Sequence, residues 1–210
     1  MIKFLTKLCF NIRHRGLVSL TLMVCVRLIQ KIIPFELLLF FEKSLNEPIK
    51  LLDTKNNVFF KHGKYADIQD LNIKEYHLSG LESYEIRHNC DCYIGVKDKV
   101  LFYIWVGYNN IYDDKIFDVE LNSKQAYLYR AFTHPGHRGL RIYPAGLSYV
   151  CQELKKKNIE KCFIAASFEN RSSIKGIYKA GFLKVGYVTY FKLHNYRKVR
   201  LPKILQALAT

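Results

Sequence analysis

The order of elements between residues 126 and 193 constrains the fold of this chain more than any other feature. Alternating apolar residues at 126–133 indicate a strand, a loop with Pro135 and Gly139 follows, and apolar positions at helical spacing predict a helix over 139–157. The same reasoning predicts a strand at 161–166, a short helix at 172–179 that is capped by Gly181, and a strand at 184–193. Strands that alternate with helices in this way require a mixed sheet with at least one parallel crossover.

The preceding part of the chain adds strands at 58–60, 92–96 and 101–106, and the turn at 97–99 joins the last two into a hairpin. With 50% hydrophobic and 14% aromatic residues, a chain of 210 residues can bury one substantial core, which excludes global disorder. Residues 46–210 are therefore predicted to form a single α/β (α+β) domain.

Residues 1–45 differ in character and are predicted to form an apolar, basic helical segment. Ser19, Arg27, Gln30 and Lys31 project within about 120° of one another if 17–33 is helical, which leaves a wide apolar face. Fewer than roughly 18 residues separate Gly16 from the next proline, so this stretch is too short to span a bilayer comfortably. Two interpretations stay open: the segment packs on the domain, or residues 1–33 lie on an anionic membrane surface.

The charge balance indicates an anionic partner. Lys and Arg number 33 against 18 Asp and Glu, which gives a formal net charge of +15. Nucleic acid, anionic lipid, a phosphorylated cofactor and an acidic carrier protein all fit such a charge, and a generally Lys-rich composition accounts for part of it. Nucleic acid is disfavoured, because the basic, aromatic stretch 190–203 is accompanied by no helix-turn-helix, RNA-binding or zinc-finger signature.

The six cysteines favour a reduced, cytoplasmic protein without a structural metal. They lie mostly within apolar or strand-like sequence, and the pair Cys90 and Cys92 has no second pair at finger-like spacing. A peripheral position at the inner face of the membrane is compatible with this expectation if residues 1–33 bind lipid.

Residues 126–145 predict an anion site. The strand ends at Thr133, and a basic loop leads directly into a helix, so free backbone N–H groups and the positive end of the helix dipole meet in the loop. Arg138 and Arg141 add guanidinium groups that suit a diphosphate. About 30 residues further on, Asn170 follows the next strand, and Ser172 or Ser173 is placed to cap the helix behind it.

Together these two elements resemble the GNAT acyltransferase superfamily. Its usual sequence runs from a strand ending in V-x-P through a [QR]-x-x-G-x-[GA] loop, a long helix, a strand, an Asn and a short helix to a G-F pair, which is Gly181 and Phe182 here. The resemblance covers about half of the chain, residues 90–193. It implies a mixed, mostly antiparallel sheet flanked by helices.

The resemblance also implies a site for acetyl-CoA or another acyl-CoA as co-substrate, with no metal. The strand end at 131–133 would pair with the pantetheine arm, Arg138 matches the leading [QR], and amides from 139–143 would receive the diphosphate. The implied cofactor-binding residues are Ala131, Phe132, Thr133, Arg138, Gly139, Leu140, Arg141, Ile142, Tyr143 and Asn170. The alignment of the thioester with the attacking amine is expected to depend on a splay between the strands at 101–106 and 126–133.

The sequence departs from the family pattern at three positions. Arg141 and Tyr143 stand where relatives have small residues, so close approach of the backbone to phosphate is expected to be hindered there. Ile177 occupies the position of the tyrosine that protonates the leaving thiolate. Tyr178 follows one residue later, rotated by about 100° on the helix, and is the candidate general acid.

A general base is not assigned. Asp113, Asp118, Glu120 and His134 are candidates, each also explained as a solvated loop or strand-end residue. The leading hypothesis is an N-acetyltransferase acting on the primary amine of a small acceptor, such as an amino sugar or amino acid. The alternatives are a long-chain N-acyltransferase that uses an acyl carrier protein, and a catalytically inactive GNAT-like binding module.

Overall fold

The computed structural model of the chain describes residues 35–69, 90–108, 110–113, 117–193 and 196–203. The strands are β1 (Phe35–Ser44), β2 (Phe59–Gly63), β3 (Asp91–Val96), β4 (Val100–Gly107), β5 (Asn110–Asp113), β6 (Phe117–Glu120), β7 (Gln125–Thr133), β8 (Lys161–Ser167), β9 (Leu183–Leu193) and β10 (Tyr196–Arg200). The helices are α1 (Tyr65–Gln69), α2 (Ile142–Lys156) and α3 (Arg171–Lys179), and a 3-10 turn lies at Pro135–His137. The strands and helices predicted between residues 58 and 193 are confirmed, with shifted ends.

Eight strands form one sheet in the order β10-β9-β1-β8-β7-β4-β3-β2, and β5 and β6 form a separate hairpin. Within the large sheet β7 and β8 are parallel, joined by α2 as the crossover, and the other pairs described are antiparallel. The predicted mixed, mostly antiparallel sheet is confirmed. The residues that build it are the expected ones, since β4 (VLFYIWVG) is rich in β-branched and aromatic side chains and is almost entirely buried.

β1 corrects the prediction for the N-terminal segment. Residues 35–44 belong to the predicted helical segment 1–45, and that prediction is wrong for them, because they form a strand between β8 and β9. Phe40 and Phe41 are fully buried in it, one on each face of the sheet. Residues 1–34, including the apolar stretch, lie outside the described residues.

The main core lies between one face of the sheet and the two long helices, and we call this the helix face. On this face β4 contributes Phe102 and Ile104, and α2 contributes Leu147, Val150 and Leu154. The alternate residues of β4, Tyr103 and Trp105, belong to a second cluster on the opposite face. This alternation follows from the period of two along a strand and produces a sheet that is buried on both faces in its centre.

Two interruptions of strand pairing open the sheet near the end of β7. Tyr103 of β4 pairs with Phe132 and Trp105 pairs with Tyr129, so Arg130 and Ala131 oppose a single β4 residue, and Arg130 has φ of 48°. The parallel pairing of β7 with β8 runs only to Leu128 and Ile164. The splay therefore lies between β7 and β8, and the predicted splay between 101–106 and 126–133 is wrong, because β4 and β7 pair on both sides of the bulge, from Phe102 with Thr133 to Gly107 with Tyr127.

A polar network ties the C-terminal end of α2 to the edge of the sheet. The Asp91 carboxylate receives hydrogen bonds from Tyr108 and Lys157, and His62 Nε2 lies 3.1 Å from its other oxygen. Burial raises the pKa of Asp91, but these three hydrogen bonds lower it by more, so the pKa lies below its usual value. Asp91 is therefore ionised at neutral pH and links β3 to α2.

The cysteines described are all free thiols: Cys90, Cys92, Cys151 and Cys162. Cys151 and Cys162 face each other in the core with sulfurs 3.7 Å apart, and burial raises the pKa of Cys162. Across the part of the chain that the structure describes, no helix has the length and apolarity needed to cross a membrane.

Candidate functional site

A cavity of about 510 Å³ lies at the splay, between the end of β7, the start of α2 and one side of α3. Most of the residues predicted to bind the donor line it: Ala131, Thr133, Arg138, Gly139, Arg141, Ile142, Tyr143 and Asn170. Phe132 and Leu140 do not. Phe132 is buried on the opposite face, where its ring stacks on Tyr103 at 5.3 Å, and Leu140 packs against the main core.

The bulge in β7 explains which residues of this strand reach the cavity. Before the bulge, Leu128 belongs to the helix face, and Tyr129 belongs to the opposite face. The extra residue reverses this alternation, so that Ala131 and Thr133 line the cavity, whereas Phe132 faces away. Beyond Leu128, β7 no longer pairs with β8, and the cavity lies where the two strands diverge.

The loop between β7 and α2 is held by main-chain contacts. Lys55 N–H donates to the carbonyl of Leu140 at 3.0 Å, and Gly139 and Arg141 take left-handed conformations with φ of 84° and 62°. Helical hydrogen bonding begins with Ala145 N–H, which donates to Arg141 C=O at 3.1 Å. The N–H groups of Ile142 and Tyr143 precede that bond and have no acceptor inside the helix, so they supply positive potential at the cavity wall.

The two bulky residues in the loop leave the cavity open. Arg141 is solvent-exposed and occupies a left-handed position that normally favours glycine. Tyr143 packs against α3, where a Cβ on Gly176 would lie 2.4 Å from its ring, and its hydroxyl accepts a hydrogen bond from Ser173 at 3.1 Å. Enclosure of this hydroxyl raises the pKa of Tyr143 to about 12, although the bond from Ser173 lowers it. The absence of a side chain at Gly176 thus provides the space for Tyr143.

Asn170 caps α3 and lies in the cavity wall. Its Oδ1 accepts hydrogen bonds from Ser173 N–H at 3.2 Å and from the Ser172 hydroxyl at 2.9 Å. The prediction that Ser172 or Ser173 caps this helix is wrong, because Asn170 occupies the N-cap position and its side chain accepts the hydrogen bond from the Ser173 amide. With Oδ1 engaged, the amide nitrogen of Asn170 is the group left to meet a ligand.

The lining of the cavity carries only positive charge. Five basic side chains contribute to it, and no Asp or Glu does: His137, Arg138, Arg141, Lys175 and Lys179. Arg138 also donates through Nε to the carbonyl of Thr133 at 3.2 Å, which holds its guanidinium across the end of β7. A concave surface of this kind concentrates anions, and its main-chain donors suit phosphate oxygens.

A histidine pair lies at the rim. The Nδ1 atoms of His134 and His137 are 3.2 Å apart, so one ring donates to the other. Partial burial lowers the pKa of His134, and the positive charges of Lys99, His137 and Arg138 lower it further. His134 is therefore neutral near pH 7. It does not line the cavity itself, but it is bonded to His137, which does.

Apart from His134 at the rim, none of the acid and base candidates that the structure describes is brought to the cavity. Tyr178 lies outside the lining and is 47% exposed, and its ring packs edge-on against Phe41 at a centroid distance of 5.4 Å. Ile177 is fully buried in the core. Glu120 is exposed on β6, away from the lining, and the side chains of Asp113 and Asp118 lie outside the described part.

Sequence reasoning missed three basic contributors to the site: His137, Lys175 and Lys179. A signal for the two lysines was present, because positions 172, 175, 176 and 179 share one face of a helix that starts beside Asn170. Within the described residues no cluster of three or more His, Cys, Asp or Glu side chains has metal-binding geometry.

The architecture is similar to that of known acetyltransferase structures. No family model and no curated protein matches the sequence. Among solved structures, the chain is similar to a GCN5-related N-acetyltransferase from Sphaerobacter thermophilus, with 11% identity and a TM-score of 0.54 over 80% of this chain and 55% of that one. It is also similar to a GNAT-family acetyltransferase from Colwellia psychrerythraea, with 14% identity and a TM-score of 0.52 over 75% of this chain and 56% of that one.

A third similar structure is a GCN5-related glucosamine N-acetyltransferase region in a fungal multi-domain GH3 β-N-acetylglucosaminidase, with 11% identity and a TM-score of 0.55 over 85% of this chain and 22% of that one. The chain thus spans little more than half of the first two proteins and a smaller share of the third. It has the GNAT fold.

Proposed function

We propose that this chain is an acyl-CoA-dependent N-acyltransferase that transfers the acetyl group of acetyl-CoA to the primary amine of a small acceptor, such as an amino sugar or amino acid. One observation carries the proposal: a cavity lined by Arg138, Arg141, Lys175 and Lys179 and by no carboxylate lies where β7 and β8 part, at the N-terminus of α2, in a GNAT fold.

The residues present fit an acyl-CoA. Gly139 to Tyr143 offer main-chain donors, and a Cβ on Gly139 would meet no atom within 4 Å, so space is available beside the loop. Arg138 and Arg141 add charge for the diphosphate, and the divergence of β7 from β8 beyond Leu128, beside Ala131 and Thr133 in the lining, suits an extended pantetheine arm. The bound thioester would supply an activated acyl group, and the chain would orient it.

The catalytic contribution we propose is mainly positional. The amine must be deprotonated to attack, yet no carboxylate lines the cavity, and Tyr178 lies outside it. A thiol leaving group has a pKa near 8.5, so the thiolate needs little help from a general acid. Main-chain N–H groups of β7 at the bulge would stabilise the oxyanion, and the splay would align the amine with the thioester.

Two measurements test this proposal on the full chain. At a CoA concentration 100 times its Kd, binding adds about 2.7 kcal/mol of stability, or roughly 5–10 °C in melting temperature. Gly139→Val should abolish that shift, because a β-branched residue cannot adopt φ of 84° without strain. Gly136→Ala, in the same loop but outside the lining, is the control and should keep it.

The second measurement is release of free CoA from acetyl-CoA in the presence of amines. Turnover with at least one amine supports the enzyme. CoA binding without turnover on any amine favours the inactive binding module, whose support is the position of Tyr178. Turnover only with a long-chain acyl carrier protein favours the other alternative. No melting shift with either CoA or acetyl-CoA overturns the proposal itself.

We also propose, from the sequence alone, that the protein is cytoplasmic and that residues 1–33 attach it to an anionic membrane surface. The expected result is flotation of the full chain with vesicles containing anionic lipid, and loss of flotation when residues 1–33 are removed. Equal behaviour of the two proteins contradicts the attachment, provided that the shortened protein unfolds cooperatively.

A further inference from the structure

One face of α3 turns toward the cavity, opposite the loop that begins α2. The residues of α3 that line the cavity follow helical spacing: Ser172, Ser173, Lys175, Gly176 and Lys179. The Tyr143 ring against Gly176 fixes how closely the two helices approach. The cavity therefore has two basic walls on different elements: the α2 loop with Arg138 and Arg141, and α3 with Lys175 and Lys179.

Lys175 and Lys179 are four residues apart, so their Cβ atoms are about 5–6 Å from each other and both ammonium groups can reach one ligand group. Both side chains are exposed at the rim, and neither has an acidic partner in the described part of the chain. Other lysines near the helices are paired, as Lys156 is with Glu153 at 2.6 Å and Lys161 with Glu42 at 3.2 Å. The positive charge on the α3 wall is thus left for a ligand.

We propose that Lys175 and Lys179 bind a phosphate monoester of the acyl donor, separate from the diphosphate at the α2 loop. The inference rests on the proposed function and names its donor class: a thioester of a 3′-phosphorylated nucleotide. A phosphate monoester carries nearly two negative charges at neutral pH, which matches two adjacent ammonium groups. Diphosphate and monoester together would engage both basic walls.

The same argument disfavours an acyl carrier protein as the donor. Its phosphopantetheine arm carries a single phosphodiester and no nucleotide, so it would meet the α2 loop and leave the α3 wall without an anion. The acidic surface of such a carrier would have to compensate from outside the cavity. Selection between the two donor classes would therefore depend on Lys175 and Lys179.

The test compares CoA with 3′-dephospho-CoA by isothermal titration calorimetry. For the unaltered protein we expect CoA to bind about tenfold more tightly, the effect of two exposed ion pairs on one phosphate. In the double variant Lys175→Ala and Lys179→Ala, CoA affinity should fall about tenfold, whereas the affinity for 3′-dephospho-CoA should change less than twofold. The ratio of the two dissociation constants then approaches one.

A matched control removes two lysines from β2 and its flank, Lys61→Ala and Lys64→Ala, which lie outside the lining and change the net charge equally. This variant should keep the tenfold ratio. The inference is overturned if the unaltered protein binds both ligands equally, or if the α3 double variant loses the same affinity for both. Failure of both ligands to bind would instead overturn the proposed function.

Discussion

Replacement of Gly176 by alanine probes the contact that shapes the cavity. A Cβ built on Gly176 lies 2.4 Å from Tyr143 Cδ1 and 2.9 Å from Cε1, distances shorter than real Cβ contacts. The ring cannot easily retreat, because its hydroxyl is bonded to Ser173 at 3.1 Å and its other side faces Phe102 at a centroid distance of 6.4 Å. Gly176→Ala should therefore strain the packing of α2 against α3.

The size of the effect follows from two opposing contributions. Overpacking at such a contact costs about 1–3 kcal/mol, whereas alanine is favoured over glycine inside a helix by about 1 kcal/mol. The net loss in the free energy of unfolding should be about 1 kcal/mol. In a Tyr143→Ala background the clash is absent, so the same substitution should stabilise by about 1 kcal/mol. The coupling between the two positions is then about 2 kcal/mol.

Urea unfolding of the four proteins in this double-mutant cycle measures the coupling directly. The slope of the transition should be shared, so that the midpoints report stability. A coupling below about 0.5 kcal/mol, with Gly176→Ala acting alike in both backgrounds, would show that the Tyr143 ring does not occupy the space above Gly176.

Three further substitutions give separate expectations. Arg141→Gly should stabilise the fold by about 0.5–1 kcal/mol, since it relieves a left-handed residue, while lowering CoA affinity severalfold. Asn170→Asp should leave stability within about 0.5 kcal/mol because the cap survives, but weaken CoA binding by placing a negative charge in the cavity; Asn170→Ala should cost about 1 kcal/mol. Asp91→Asn should cost about 1–3 kcal/mol at pH 7. Because the pKa of Asp91 is lowered in the folded state, its stabilisation is present above pH 4 or so and is lost as the pH falls through the folded value, so the difference should shrink in acid.

Each of these can fail. A destabilised Arg141→Gly protein would mean that the Arg141 side chain makes packing contacts whose stabilisation outweighs the strain of its left-handed backbone. Unchanged CoA affinity in Asn170→Asp would remove Asn170 from the site. A pH-independent effect of Asp91→Asn would show that its charge is unimportant to the link between β3 and α2. Urea titrations at pH 3 and pH 7 and calorimetry with CoA provide the measurements.

Periodicity predicted the part of the fold in which local sequence determines the element. β7, α2, β8 and α3 were all expected, and α2 begins at Ile142 rather than 139 because Gly139 and Arg141 both take left-handed conformations. Such backbone conformations depend on the surrounding loop, here on the Lys55 bond to Leu140, and leave no periodic signal.

β1 was missed for a different reason. Its sequence, FELLLFFEKS, is a nearly continuous apolar run, which periodicity alone cannot assign to a strand or a buried helix. Its partners are far away in the sequence, as Leu38 pairs with both Ser167 and Val188. The place of the splay was mistaken for the same reason, since strand order and register arise from pairings that no local window contains.

The candidate site was largely predictable because it lies in consecutive loop and helix residues, Arg138 to Tyr143. The α3 wall was predictable only in part: helical spacing puts residues 172, 175, 176 and 179 on one face, but the direction of that face depends on how α3 packs on Tyr143. The sequence placed Tyr178 one position from the family pattern, and the structure turns that residue toward Phe41. An offset of one residue on the helix thus places Tyr178 at the surface, whereas Ile177 at the family position is buried in the core.

Amide hydrogen exchange with and without CoA tests most directly the claim that main-chain donors at the start of α2 hold the donor. We expect CoA to slow exchange selectively at residues 139–143, with a smaller effect at the end of β7. Saturating CoA that leaves these amides unchanged, or that protects a different region, would contradict the account.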